Sequence, residues 1–194
     1  MQAILQGLTD PMHRIAVLIA AVTGLRRSEI RGLKWLDIDF DRLWLNLRRG
    51  IVRKHKTRLK TEGSRRGIPI PQDLADVRTK WRDECLYPAD DDWVLASPTT
   101  NGRSPLWLDI VLQRYIRPIL IEARITKTVG WHTFRRSLSV IMANKGENVK
   151  VVQELLRHSN VSTTLDLYQQ ADQEAKRAAQ VHTSSLFSVH AKAS

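Results

Sequence analysis

An α+β chain, mainly α-helical, with a small antiparallel three-stranded sheet packed beside a helical core, is the fold class these 194 residues predict. Three observations lead there. Apolar residues recur at helical spacing, as in Met12, Ile15, Ala16, Ile19 and Val22, which marks one buried helix face. Between Trp35 and Pro71 the period falls to two: Leu43, Leu45 and Leu47 alternate with Trp44, Asn46 and Arg48, as a half-buried strand requires. Neither an internal repeat nor a low-complexity segment breaks the pattern, and the length suits one domain with a real core.

Asp10-Pro11 opens the first helix, a capping carboxylate before a first-turn proline. Thr23-Gly24 interrupts it, and Arg26 to Leu33 reads as a second, short helix with Arg26 at its start. Leu43 to Leu47, Ile51-Val52-Arg53 and Gly67-Ile68-Pro69-Ile70 are the expected strands, with Lys60 to Arg66 in a basic connection. Pro71 to Tyr87 follows as a helix, and Pro88 to Pro105 as a loop with a short extended piece at Trp93 to Leu95. Leu106 to Ala123 is expected to be helical, kinked or ended by Pro118. His132 and Arg135, three apart, project from one face of the next helix. Val149, Val152, Leu155 and Leu156 give another helix its apolar side, with Arg157 and His158 at its end. Asp172 and Lys176 fall at i,i+4, so a final helix runs to about Thr183 and leaves a loose tail.

Lys and Arg number 31 against 20 Asp and Glu, a formal net charge of +11. That balance favours polyanionic partners, nucleic acid before membrane surface. The basic residues are interleaved with apolar ones, which points to a folded basic surface rather than a flexible arm. A single cysteine, Cys85, excludes an internal disulfide and a cysteine-based zinc site and suits a reducing, cytoplasmic setting. Met1 to Asp10 lacks the features of a signal peptide, and the longest apolar run, Ile15 to Val22, is far short of the ~20 residues that span a bilayer.

Five stretches carry chemistry: TGLRRSE at Thr23 to Glu29, LKTEGSRRGIPIP at Leu59 to Pro71, WHTFRR at Trp131 to Arg136, LLRHS at Leu155 to Ser159, and TTLDLY ending at Tyr168. Any one is weak in an arginine-rich chain; five in order are strong. Together they resemble the catalytic domain of the tyrosine recombinases, the phage-integrase family, over nearly the whole chain. The resemblance implies that Arg26, Lys60, His132, Arg135, His158 and Tyr168 are the catalytic set, with Glu29 supporting them. It also implies the tyrosine-recombinase catalytic fold over residues 1–183, with a C-terminal tail at 184–194; the N-terminal DNA-clamping domain that relatives carry is expected to be absent, a departure from the family, because the first arginine already stands at position 26. Arg27, Arg65, Arg66, Arg136 and Arg157 are the candidate DNA contacts. The expected partner is double-stranded DNA, bound by a tetramer that is monomeric when free, with no membrane, metal or cofactor.

The residue types suit that chemistry. A tyrosine oxygen attacking a DNA phosphodiester keeps the bond energy in a phosphotyrosine. Arg26 and Arg135 offer rigid forks of donors to the non-bridging oxygens, with His158 as a further donor. Lys60 suits protonation of the departing 5′-oxygen, and His132 either assists proton movement at Tyr168 or orients its neighbours. Each residue also has a plainer reading. Arg26 can be a surface helix residue, Lys60 a solvent-facing hairpin lysine, His132 and His158 core imidazoles or metal ligands, and Tyr168 a packed tyrosine with a wet tip. Trp35, Trp44 and Trp131 read as packing. Two further functions share the motif set: a non-catalytic DNA-binding module, and relaxation of the type IB topoisomerase kind. Arg157 stands where the family most often has glycine, a residue that lets the backbone turn freely.

Overall fold

The computed structural model describes residues 1–53, 55–57, 67–158 and 160–168, with 56, 163 and 166–168 described as backbone. Helix α2 (Pro11–Thr23) is the central element, and its ends follow from local chemistry. The Asp10 carboxylate accepts from the backbone N–H groups of Met12 (2.8 Å) and His13 (3.2 Å), and Pro11 fills the first position. Gly24 ends the helix at φ 61°, in the left-handed region, and donates its N–H to the Ala20 carbonyl. Met12, Ile15, Ala16 and Ile19 are buried as the spacing predicts, whereas Val22, expected on the same face, is 38 % exposed. The buried arc is completed by Thr23 instead, whose hydroxyl donates to the Ile19 carbonyl.

A helix that local signals do not announce precedes α2. α1 (Gln2–Gly7) has no side-chain cap, and what anchors it is burial of Ile4 and close approach of Gly7 to Ile119. α3 (Arg27–Arg31) is shorter than the expected Arg26 to Leu33. It stops at Gly32, where an added Cβ would lie 2.6 Å from the Arg49 carbonyl oxygen, so the backbone of 49–50 packs directly on it.

The three-stranded antiparallel sheet is present, with a different membership. β1 (Ile38–Asp39), β2 (Trp44–Leu45) and β5 (Ile68–Pro69) form it in the order β1-β2-β5, with Ile38 opposite Leu45 and Leu45 opposite Ile68. Ile51-Val52 belongs instead to a separate hairpin, β3 (Gly50–Val52) with β4 (His55–Thr57). The cause lies in α3. Arg31 is buried and donates to the carbonyls of Leu106 (3.2 Å) and Arg53 (3.0 Å), while Ile51 packs with Trp93 and Ala96 apart from the main core. The hairpin is thereby tied to α3 and the 93–107 loop. Strand alternation holds in β2: Leu45 is buried, and Trp44 on the opposite face is 39 % exposed and packs against Gly67.

α4 (Gln72–Glu84) packs on α2. The expected Leu106 to Ala123 helix is three pieces: α5 (Leu108–Val111), a π-helical turn (Leu112–Ile116) and α6 (Arg117–Glu122). Pro118 has no N–H for the Arg114 carbonyl, and the widened turn just before it lets the axis continue rather than stop. Three helices complete the described chain: α7 (Trp131–Asn144), α8 (Val149–Leu156) and α9 (Val161–Tyr168). α7 lies on α2, and α8 and α9 pack on α7 and on each other. Among the described residues no helix is long and apolar enough to cross a membrane.

Candidate active site

The site forms where the C-terminal ends of α2 and α8 meet the start of α3. A helix C-terminus carries unsatisfied carbonyls and the negative end of the helix dipole, so it attracts cations. Arg135, on the buried side of α7, reaches both ends: Nη1 donates to the Gly24 carbonyl (2.6 Å) and Nη2 to the Leu156 carbonyl. Its guanidinium is enclosed, with the whole residue 2 % exposed. Gly24 permits this approach; a Cβ there would lie 2.5 Å from Leu156 Cδ2.

Arg26 caps α3 from the other side. Its backbone N–H donates to Glu29 Oε2 (2.7 Å), its Nη1 donates to Glu29 Oε1 (2.9 Å), and its Nη2 donates to the Arg157 carbonyl (3.3 Å). The Arg26 side chain keeps 40 % of its surface exposed, against 2 % for Glu29. The arginine therefore faces solvent while its carboxylate partner is enclosed.

Arg157 is placed differently from the expectation of a DNA contact. Its side chain is 1 % exposed and turns inward, with Nη2 donating to Glu29 Oε2 at 2.9 Å. Its backbone takes φ 54° and ψ 46°, which ends α8 and lets the N–H groups of Arg157 and His158 return to the Glu154 and Gln153 carbonyls. For a residue with a Cβ this conformation costs about 1 kcal/mol.

His158 follows directly. Its Nδ1 lies 2.9 Å from the Thr164 hydroxyl, and its carbonyl accepts from Gln153 Nε2. Thr164 is fully buried in the first turn of α9. Its role escapes sequence reasoning because a threonine six residues after a histidine is no signal until both helices are placed. His132 sits exposed on the first turn of α7.

Electrostatics bind the group together. Arg26, Arg135 and Arg157 set three guanidiniums against the one carboxylate of Glu29, an excess of positive charge that favours an anion. Burial, and then the Arg26 charge, push Arg135 down to about 9, so it stays charged at neutral pH. Burial also lowers Arg157, with Glu29 opposing the shift. His158 falls to about 4, first through burial and then through Arg135, Arg26, His132 and Arg157. Partial burial and the same two arginines lower His132, with Arg136 adding to them.

The fold brings Arg26, Glu29, Arg135 and His158 into one cluster. Tyr168 is the last residue of α9. Arg27 lies beside the cluster, its Nη1 paired with the Asp109 carboxylate at 2.6 and 2.8 Å, and Arg136 is exposed on α7. Lys60, Arg65 and Arg66, and the helix expected after Tyr168, lie outside the described residues.

The depressed histidine gives a pH prediction. Unfolded, His158 takes a proton near its ordinary 6.5; folded, it resists until about 4. The stability it contributes is present above pH 6.5 and is lost as pH falls to about 4, a change of about 2 kcal/mol after allowing for solvent screening. Thermal melts should show Tm falling by about 5 °C more in wild type than in His158→Gln across that window. Parallel Tm curves for the two would contradict the assignment.

Comparison with known proteins agrees with this architecture. Residues 1–175 match the model of the phage integrase family. The chain is 33 % identical over 180 residues to a XerC-like tyrosine recombinase of Caldanaerobacter subterraneus subsp. tengcongensis, covering 80 % of this chain and 45 % of the relative. A XerA tyrosine recombinase of Thermococcus kodakarensis is 31 % identical over 176 residues, covering 89 % and 55 %. Among solved structures, the Tn1549 transposon integrase in complex with circular intermediate DNA superposes with a TM-score of 0.77 at 22 % identity, over 94 % of this chain and 64 % of that one. The chain spans about half the length of the curated relatives it matches. With the fold, the ordered motifs and the family match in agreement, the chain belongs to the phage integrase family.

Proposed function

We propose that this chain carries the catalytic centre of a site-specific DNA recombinase that cuts and rejoins strands through a covalent 3′-phosphotyrosine. The observation that supports this most is the gathering of Arg26, Arg135 and His158 from three separate elements around the end of α8. Tyr168 Oη gives its proton to the neutral His132 imidazole and attacks a backbone phosphorus, the P–O5′ bond breaks, and the 5′-oxygen leaves with a proton from Lys60. Arg26 and Arg135 hold the non-bridging oxygens as negative charge grows on them. In the tautomer whose Nδ1 accepts from the Thr164 hydroxyl, the neutral His158 ring carries its proton on Nε2 and donates a hydrogen bond from it to the same phosphate. Attack by a 5′-hydroxyl from another strand reverses the step and completes exchange. Duplex DNA is the substrate, and a tetramer of this chain assembles on it inside the cell. Arg27, Arg65, Arg66 and Arg136 serve as contacts to backbone phosphates.

A nicked duplex that loses a short fragment after cleavage traps the intermediate. Wild type is expected to give a denaturation-resistant protein–DNA adduct whose modified peptide contains Tyr168. Binding without any adduct would leave a DNA-binding module and overturn the proposal.

A further inference from the structure

Arg157 takes no part in the chemistry proposed above, yet the fold holds it in a conformation suited to glycine, with its charge almost wholly buried. The turn itself does not need arginine: glycine adopts the same backbone without strain, and the carbonyl offered to Arg26 would be unchanged. What arginine alone adds is the contact to Glu29, a pair whose side chains are 1 % and 2 % exposed. Its Nε and Nη1 have no hydrogen-bond partner among the described residues, so the Glu29 contact is what fixes the guanidinium.

That contact bears on Arg26. Glu29 Oε2 accepts from Arg157 Nη2 and from the Arg26 backbone, while Oε1 accepts from Arg26 Nη1. Arg26 Nη2 rests on the Arg157 carbonyl. The Arg26 guanidinium is thus bracketed between a carboxylate and a carbonyl, and Arg157 anchors both. Without the Arg157 donor, Glu29 Oε2 would keep only the Arg26 backbone N–H, the carboxylate would be free to rotate, and the Arg26 guanidinium would lose its fixed place at the solvent edge. We propose that Arg157 is a positioning residue that fixes the Glu29 carboxylate and so immobilises the Arg26 guanidinium at the solvent edge of the site, in place for the DNA phosphate. The inference rests on the strand-transfer reading of this site.

Two measurements on the full chain test it. The first is solvent exchange and line width of the Arg26 Nε–H signal in nitrogen-15 NMR, identified by its loss in Arg26→Lys. It should exchange at least about tenfold faster in Arg157→Met and Arg157→Gly than in wild type. The second is single-turnover cleavage of the nicked duplex at saturating DNA. The rate should fall about 10- to 100-fold in both variants, while duplex affinity stays within about twofold and Arg157→Lys recovers most of the rate. If Arg157→Met does not fold, Arg157→Gly carries the test, because glycine takes this backbone freely. Unchanged Arg26 exchange, or cleavage within about twofold of wild type in the folded variants, would overturn the inference. A wild type that forms no adduct defeats the strand-transfer reading instead, and the exchange measurement then judges the role of Arg157 by itself.

Discussion

Tyr168→Phe is expected to abolish the covalent DNA adduct, a fall on the order of 10⁴-fold or more to background, while duplex affinity stays within about twofold. Phenylalanine keeps the ring and removes only the oxygen that would bond to phosphorus, so packing and DNA contacts are left in place. Tyr168 ends α9, and α9 packs on α7 and α8, the helices that carry Arg135 and lead into His158. Tyr168, Arg135 and His158 therefore sit on or beside helices that pack on one another. The chain has two other tyrosines, Tyr87 and Tyr115. Tyr115 stacks on His13, near the N-terminal end of α2. Gly24 marks the other end of that helix, about 16 Å away at 1.5 Å per residue. An adduct that survives in the Phe variant would move the nucleophile to another residue, and peptide mapping would identify it. Loss of DNA binding together with the adduct would make Tyr168 structural.

What was legible in the sequence was whatever rests on local chemistry. Asp10-Pro11 and Gly24 fix the two ends of α2 because a carboxylate, a proline ring and a missing Cβ act within one turn. The spacing of His132 and Arg135 places both on α7 for the same reason. The partition of the strands was not legible. Ile51-Val52 has the same apolar character as Ile68, and what separates them is Arg31, a residue twenty positions away whose burial no local pattern reveals. α1 was missed because its stability comes from Ile4 and Gly7 packing against distant partners rather than from a cap. Arg157, expected to contact DNA from a position where the family most often has glycine, turns inward instead. Its inward turn depends on Glu29, 128 positions earlier, and on a left-handed backbone that the sequence shows only as a departure from glycine.

Arg31 and Arg135 together allow the stabilising and chemical contributions of a buried arginine to be separated. Both are nearly enclosed, at 6 % and 2 % exposure, and both hold carbonyls from distant segments. Lysine keeps the charge but replaces the planar fork with one flexible point donor, which does not serve two carbonyls from separate segments at once. Each loss leaves a buried acceptor without its charged partner, so Arg31→Lys and Arg135→Lys should each lower stability in urea by about 2–3 kcal/mol. Their effects on cleavage should differ. Arg135 shares its cluster with Arg26 and His158, and in the proposed reaction it meets the growing charge on phosphate; its lysine variant should lose about 10²–10³ in single-turnover rate. Arg31 ties the β3–β4 hairpin to the 93–107 loop, stacks on Trp107 at 4.4 Å, and should leave the rate of folded protein within about twofold. Measured in urea-free buffer, where both variants remain folded, equal rate losses would mean that Arg135 matters only as a strut between α2 and α8. A selective loss in Arg135→Lys would mean that the same guanidinium that ties the two helix ends together also reaches the reacting phosphate.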